Sequence, residues 1–277
     1  MTTNLKFTAI GLATTLVLGA CAESAGPQFA APTLNLDVAT AMADGVSADV
    51  QTMRELSRGL QLGMRLWLTP QEAPSAGDCP YDAGTGWHTC ATITGPGGLS
   101  LDRRYAFYDA SNAAMETFDQ LLTAKIHFIK HAEGSIGRTM DGGSMTAEVD
   151  YDRDMTVTGL AGEETSRTWN GTGASEVTRT RMSDTHGTRT YELEAAVTVA
   201  GVVVPRRSNE QTDAWPTAGT ITKVVTGTVS NGEETRQVSR TVIITFNGTQ
   251  FPTATVNGEP FTIDLANRMA HRGGGRP

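Results

Sequence analysis

Residues 219–246 read GTITKVVTGTVSNGEETRQVSRTVIITF, and this stretch decides the fold. Two runs rich in valine, isoleucine and threonine flank Asn231-Gly232, the dipeptide most typical of a two-residue hairpin turn. Such a turn pairs Ser230 with Glu233. Counting outward puts the pairs Val225–Val238 and Ile221–Val242 on one face, and Thr228–Thr235, Thr226–Gln237 and Thr222–Thr241 on the other. One apolar face and one threonine-rich face predict a half-buried antiparallel sheet.

The same pattern extends over most of the chain. Asn-Gly also occurs at 170–171, 247–248 and 257–258, and no motif recurs at a constant spacing. The strand candidates are 88–95, 99–109, 114–118, 124–132, 144–158, 163–170, 174–183, 187–204, 219–230, 233–246, 249–256 and 259–265. A short helix over 113–126 is the alternative there. In a continuous register, the strands before and after Pro252 would place their apolar residues on opposite faces of the sheet. This indicates either a bulge near 250–253 or a sheet covered on both faces.

One segment has clear helical periodicity. Ser47 is a candidate N-cap and Pro70 a terminator, which predicts an amphipathic helix over about 47–68. Its apolar face consists of Val50, Met53, Leu56, Leu60, Met64 and Trp67. We therefore expect a mainly β protein in which a long antiparallel meander curls into a half-barrel with this helix packed on it. A two-sheet sandwich is the alternative. The β-rich domain is expected to span 36–267, with a disordered tail over 268–277.

The N-terminus has the pattern of an export signal. Lys6 precedes an uncharged apolar run from Phe7 to Leu18, and the small residues Gly19 and Ala20 precede Cys21. The run Leu18-Gly19-Ala20-Cys21 resembles the lipobox of bacterial lipoprotein precursors. That resemblance implies that residues 1–20 are a signal peptide and that Cys21 is acylated, with 21–35 forming a flexible tether. By the same resemblance, Ala22, which stands where lipoproteins of the inner membrane have aspartate, implies the outer membrane instead of the inner membrane.

The net charge of the chain argues against one class of function, and its cysteines predict a disulfide. The formal net charge of −8 argues against nucleic-acid binding, which requires a basic surface. Once Cys21 is acylated, Cys79 and Cys90 remain, and an even pair in an oxidising compartment predicts a disulfide.

Catalytic motifs are missing from the sequence, since it contains no G-x-S-x-G, H-E-x-x-H, phosphate-binding loop or dinucleotide fingerprint. Asp150, Asp152 and Asp154 resemble the opening of a calcium loop, but Met155 and Ala161 replace its glycine and glutamate. These acids are weak metal candidates, and we expect them to lie on a solvent-facing strand, with no metal or other cofactor bound. His127 and His131 are expected to be a surface pair.

These observations predict a lipid-anchored envelope protein with a non-catalytic structural or interaction role. Its partners would be the membrane, through the lipid, and another envelope component. The first alternative is a carrier of lipid or another apolar ligand, similar in architecture to the half-barrel lipoprotein carriers of the periplasm. The second alternative is an enzyme whose site is assembled from scattered residues.

Overall fold

The computed structural model describes residues 31–59, 79–95, 98–140, 143–162, 164–183, 187–206 and 214–273. Within these ranges the chain forms one helix, α1 (Ala31–Gly59), and fourteen strands. The strands are β1 Tyr81–Asp82, β2 Trp87–Thr89, β3 Ile93–Thr94, β4 Ser100–Asp109, β5 Ala114–Met115, β6 Thr123–Met140, β7 Gly143–Thr158, β8 Ser166–Ser183, β9 Gly187–Pro205, β10 Ala218–Ser230, β11 Thr235–Thr245, β12 Thr253–Val256, β13 Glu259–Asp264 and β14 Met269–Arg272.

All strands belong to one antiparallel sheet. Its order is β1-β2-β4-β6-β7-β8-β9-β10-β11-β12-β13-β14, with β3 and β5 also paired to β4. The helix contacts β9 and also β12, β13 and β14, so the sheet curls around it without closing into a barrel. The predicted meander with a helix on its concave face is confirmed. Among the described residues, no helix is both long and apolar enough to cross a bilayer.

The predicted bounds of the helix are wrong at the N-terminal end. Helix α1 begins at Ala31, so it includes the end of the predicted tether over 21–35, and Ser47 is buried inside the helix instead of capping it. The N-terminal half of α1 was not predicted, because Asp37 and Asp44 interrupt the apolar pattern of the sequence there. Val50 and Met53 are buried as predicted. Residues 1–30, with Cys21, and the predicted continuation over 60–68 lie outside the described residues.

Not every Asn-Gly dipeptide forms the two-residue hairpin turn that it predicts. Asn257-Gly258 forms the predicted two-residue turn, with φ values of 47° and 86°. At Asn231 the loop has four residues, because its side-chain oxygen accepts hydrogen bonds from the backbone N–H groups of Glu233 and Glu234. Ser230 therefore pairs with Thr235, and Ile221 with Ile244. The register is shifted by two residues from the prediction, so the pairs differ while the apolar and threonine-rich faces are preserved.

Asn170-Gly171 does not form a turn, and β8 is a single strand where two were predicted. The register is irregular here because β9 has an extra residue at Gly201, whose backbone N–H donates to the Asn170 side chain at 2.8 Å. The predicted bulge near 250–253 is instead part of the connection between β11 and β12. The alternative prediction, a sheet covered on both faces, is confirmed at β13. Its last four residues are all buried: Phe261, Thr262, Ile263 and Asp264.

The ends of the sheet also differ from the prediction. Among the described residues, strand pairing begins at Tyr81 instead of residue 88. Cys79 and Cys90 form the predicted disulfide beside the β1–β2 hairpin. Residues 269–272 form β14, paired to β13, so the described part of the predicted disordered tail is ordered by an edge pairing. Residues 113–126 do not form the alternative helix, because Ala114–Met115 pairs with β4 and a turn precedes β6.

Oppositely charged side chains join α1 to the concave face of the sheet. Arginines from three neighbouring strands each meet one helix carboxylate. The pairs are Asp49–Arg153 on β7, Asp44–Arg179 on β8 and Asp37–Arg189 on β9. Near the N-terminal end of the helix, Asn35 donates to Glu259 and accepts from Arg240, both at 2.7 Å. These contacts fix the position of the helix along and across the sheet.

The Asp49–Arg153 pair is supported by several further hydrogen bonds. Arg153 donates to both Asp49 oxygens, at 2.9 and 3.0 Å, and also to the carbonyls of Asp152 and Ala174 and the Ser175 hydroxyl. Burial favours the neutral acid, but the charges of Arg153 and Lys223 outweigh it and hold the pKa of Asp49 below its usual value. Asp49 is therefore ionised inside the protein at neutral pH.

Lys223 lies under the same helix and is 1% exposed. Burial lowers its pKa to about 8, although the charges of Asp49 and Asp44 oppose that shift. The lysine fits because residue 45 is glycine, where a Cβ atom would lie 2.8 Å from the lysine Nζ. Apolar residues surround this polar layer, among them Val38, Val46, Val50, Met53, Ile221 and Val225.

We expect Asp49→Asn to lower the free energy of unfolding by about 3–5 kcal/mol at pH 7, because it leaves a buried guanidinium without its counter-charge. Urea unfolding followed by circular dichroism measures this loss.

The loss should depend on pH. Because the folded-state pKa of Asp49 is depressed, the contribution of Asp49 to stability is present above the unfolded pKa and is lost as the pH falls below about 4. The difference between the two proteins should therefore shrink on acidification. Asp154→Asn, next to the same arginine along the chain but exposed, is the control. Equal losses in the two variants would contradict this account.

Candidate functional site

The two faces of strands β6 to β10 carry opposite charges. Side chains alternate along each strand, and every Asp and Glu of these five strands points to the convex, solvent-facing side. These acids are Glu133, Glu148, Asp150, Asp152, Asp154, Glu176, Glu192 and Glu194. The arginines that hold α1 and the buried Lys223 point to the concave side, so helix carboxylates compensate positive charge inside while the outer acids face water.

Four of the outer acids form a row across the sheet. Glu133 pairs with Asp150, Asp150 with Glu176, and Glu176 with Glu194, on four adjacent strands. Neighbouring strands lie about 4.8 Å apart, and like charges directly opposite each other destabilise a sheet. The protein therefore retains an arrangement that costs folding free energy.

A second row lies beside the first. Glu148 accepts a hydrogen bond from Ser135 at 2.5 Å, and Glu192 accepts one from Thr228 at 3.3 Å. At this end of the sheet there is an open groove of about 400 Å³, whose acidic lining consists of Glu133, Glu148, Asp150 and Glu176. The groove and the two rows together form the acidic face, a name used below for Glu133, Glu148, Asp150, Glu176, Glu192 and Glu194.

His131 lies at the edge of the acidic face and contacts three carboxylates. Its Nδ1 is 3.0 Å from an Asp152 oxygen and 3.5 Å from an Asp150 oxygen, and its Nε2 is 3.8 Å from a Glu133 oxygen. Desolvation favours the neutral ring, but the hydrogen bond to Asp152 and the three negative charges outweigh it and raise the pKa of His131. The imidazole, Asp150 and Asp152 each offer one ligand atom, all within 4.8 Å of one another.

The three acids proposed from the sequence as weak metal candidates do not stay together. Asp150 and Asp152 join His131, whereas Asp154 meets His127 at 2.6 Å. The His127 ring also packs against Trp87, with centroids 4.9 Å apart, and the Arg104 guanidinium lies over the Trp87 ring, 4.8 Å from its centroid. The histidines were correctly predicted to be on the surface, but each has its own set of partners.

The role of His131 was missed because its partners lie on another strand. Along the chain, Glu133 is the acid nearest to His131, whereas Asp150 and Asp152 lie on β7. Asp141-Gly142 is a two-residue hairpin signal that could have corrected this. Counting outward from it pairs Met140 with Gly143 and His131 with Asp152, which is the register in the structure. Chemically, this region offers carboxylates and an imidazole, a set suited to binding cations.

Comparisons with known proteins give no match, whether with protein-family models, with curated proteins or with solved structures. The function is therefore argued from the residues of this chain alone.

We expect Asp152→Asn to lower the pKa of His131, because it removes the charge that accepts the shortest hydrogen bond to the ring. An NMR titration of the histidine ring protons measures this shift. His271 on the last strand serves as the internal reference. A His131 titration curve that is unchanged by the substitution would show that the carboxylate contacts described above do not form in solution.

Proposed function

We propose that this chain is a lipid-anchored protein of the bacterial envelope whose β domain has a non-catalytic interaction role. Its acidic face is the surface that meets a positively charged region of a partner protein. The observation that carries the proposal is the row Glu133–Asp150–Glu176–Glu194, which stays exposed although its repulsion opposes folding. Binding a basic surface relieves that repulsion and contributes favourable charge complementarity.

The anchor is supported by the run Leu18-Gly19-Ala20-Cys21 and by the apolar segment before it. Cys21 precedes the first residue of α1 by ten positions, and ten residues span at most about 35 Å. A lipid on Cys21 would therefore keep the β domain close to a membrane surface. Two or more acyl chains are needed for stable anchoring, because one chain binds only marginally.

A surface role fits the packing better than a carrier role does. In a half-barrel carrier the apolar ligand lies on the concave face, and here α1 occupies that face with Val38, Val46, Val50 and Met53 buried against the sheet. The open groove of about 400 Å³ described above has Glu133, Glu148, Asp150 and Glu176 in its lining. An apolar ligand would have to displace both the helix and its ion pairs.

We expect Cys21→Ser to abolish incorporation of labelled fatty acid and to move the chain from the membrane fraction to the soluble periplasmic fraction. Metabolic labelling and fractionation of the native host measure both effects. Cys79→Ser with Cys90→Ser, which removes the disulfide and leaves the lipobox intact, is the matched control. A Cys21→Ser chain that still carries the label would refute lipidation at this residue.

The interaction role predicts a charge-dependent crosslink. A photoreactive residue in place of Thr178, which is exposed between Glu148 and Glu192 in the second row, should give a discrete adduct with a basic protein in intact cells. Glu133→Gln, Asp150→Asn, Glu176→Gln and Glu194→Gln together should remove that adduct. They should also raise the free energy of unfolding by roughly 0.2–1 kcal/mol for each repulsive pair removed.

Thr241 supplies the matched position for that experiment. It is exposed on β11, away from the acidic face, and a photoreactive residue there should not trap the same protein. Adducts that are equal at the two positions, or that persist after neutralisation of the four acids, would contradict the proposed role. The increase in stability confirms that any lost adduct does not result from unfolding.

A further inference from the structure

His131 is placed as a metal ligand would be. In a tetrahedral site with bonds of 2.0–2.2 Å, ligand atoms lie about 3.3–3.6 Å apart. The Nδ1 atom of His131 is 3.5 Å from the Asp150 oxygen and 3.0 Å from the Asp152 oxygen. Small side-chain rotations would bring all three atoms onto one ion, and the half-exposed position leaves room for water as a further ligand.

The other ring nitrogen has the partner that a ligating histidine needs. Nε2 faces Glu133 at 3.8 Å. When Nδ1 binds a metal, Nε2 carries the proton and donates it toward a carboxylate, which orients the ring and increases its basicity. Glu133 can accept that hydrogen bond after a modest rotation. The imidazole and its supporting carboxylate distinguish this set from the purely acidic rows beside it.

We propose that His131, Asp150 and Asp152 bind one divalent transition-metal ion of the zinc class, with Glu133 positioning the imidazole. Imidazole nitrogen with carboxylate oxygen suits zinc and its neighbours, whereas calcium requires six to eight oxygen ligands. The inference deepens the proposed function, since the ion would lie at the edge of the acidic face. A bound ion would locally reduce the repulsion between Asp150 and Asp152 and would define one end of the interaction surface.

Calorimetric titration of the full-length chain in detergent, without a histidine tag, tests this site with zinc chloride as the probe. We expect one zinc ion per chain and no comparable heat with calcium or magnesium chloride. His131→Gln and Asp152→Asn should each weaken binding by at least tenfold. Glu133→Gln should weaken it by about 10-fold to 100-fold, the range typical of partners that support a ligating histidine.

His127→Gln with Asp154→Asn is the matched control, because this neighbouring pair on the same two strands lies outside the ligand set. It should bind zinc as the unmodified chain does. Zinc affinity that survives His131→Gln, or calcium binding as tight as zinc binding, would overturn the inference. If the unmodified chain does not bind zinc but still gives the Thr178 crosslink, the zinc site is refuted and the proposed function stands. If it binds zinc but gives no Thr178 crosslink, the proposed function is refuted and the zinc site stands.

Discussion

The contact between the acids of α1 and the arginines of the concave face constrains the rest of the structure. Asp37, Asp44 and Asp49 each meet a guanidinium from a different strand among β7, β8 and β9. Buried ion pairs contribute little net stability, because desolvation of both groups offsets their attraction. They are nevertheless strongly position-dependent, since a displaced helix would leave several buried charges unpaired. The pairs therefore select one placement of α1, while the apolar residues around them supply the favourable burial.

The same alternation that points arginine inward points acids outward. Along β7, Arg153 stands between Asp152 and Asp154, so one residue holds the helix and its two neighbours face solvent. Helix carboxylates compensate the inner charges, and the outer acids contribute to the net charge of −8. The architecture and the acidic face thus arise from one pattern. A substitution that reverses an outer acid changes the surface without touching the contacts of the helix.

Strand content, the meander and the disulfide were predictable because they depend on local signals: alternation, turn dipeptides and an even pair of cysteines. The extent of α1 was not, because Asp37 and Asp44 look solvent-exposed until their arginine partners are known. Arg179 and Arg189 follow the valine and leucine positions of their strands, and this alternation was the available sign of an inward basic face. The cluster around His131 depends on the β6–β7 register, and a shift of one residue would move the acids to the other face.

The account depends most on the claim that opposite charges hold α1 in the curled sheet. A double-mutant cycle of Asp49→Leu and Arg153→Met, measured by urea unfolding, tests it directly. We predict that the double variant is less destabilised than the sum of the two single variants, with a coupling free energy on the order of 1–3 kcal/mol. Additive losses would contradict the account, because they would mean that the two side chains stabilise the protein independently of each other.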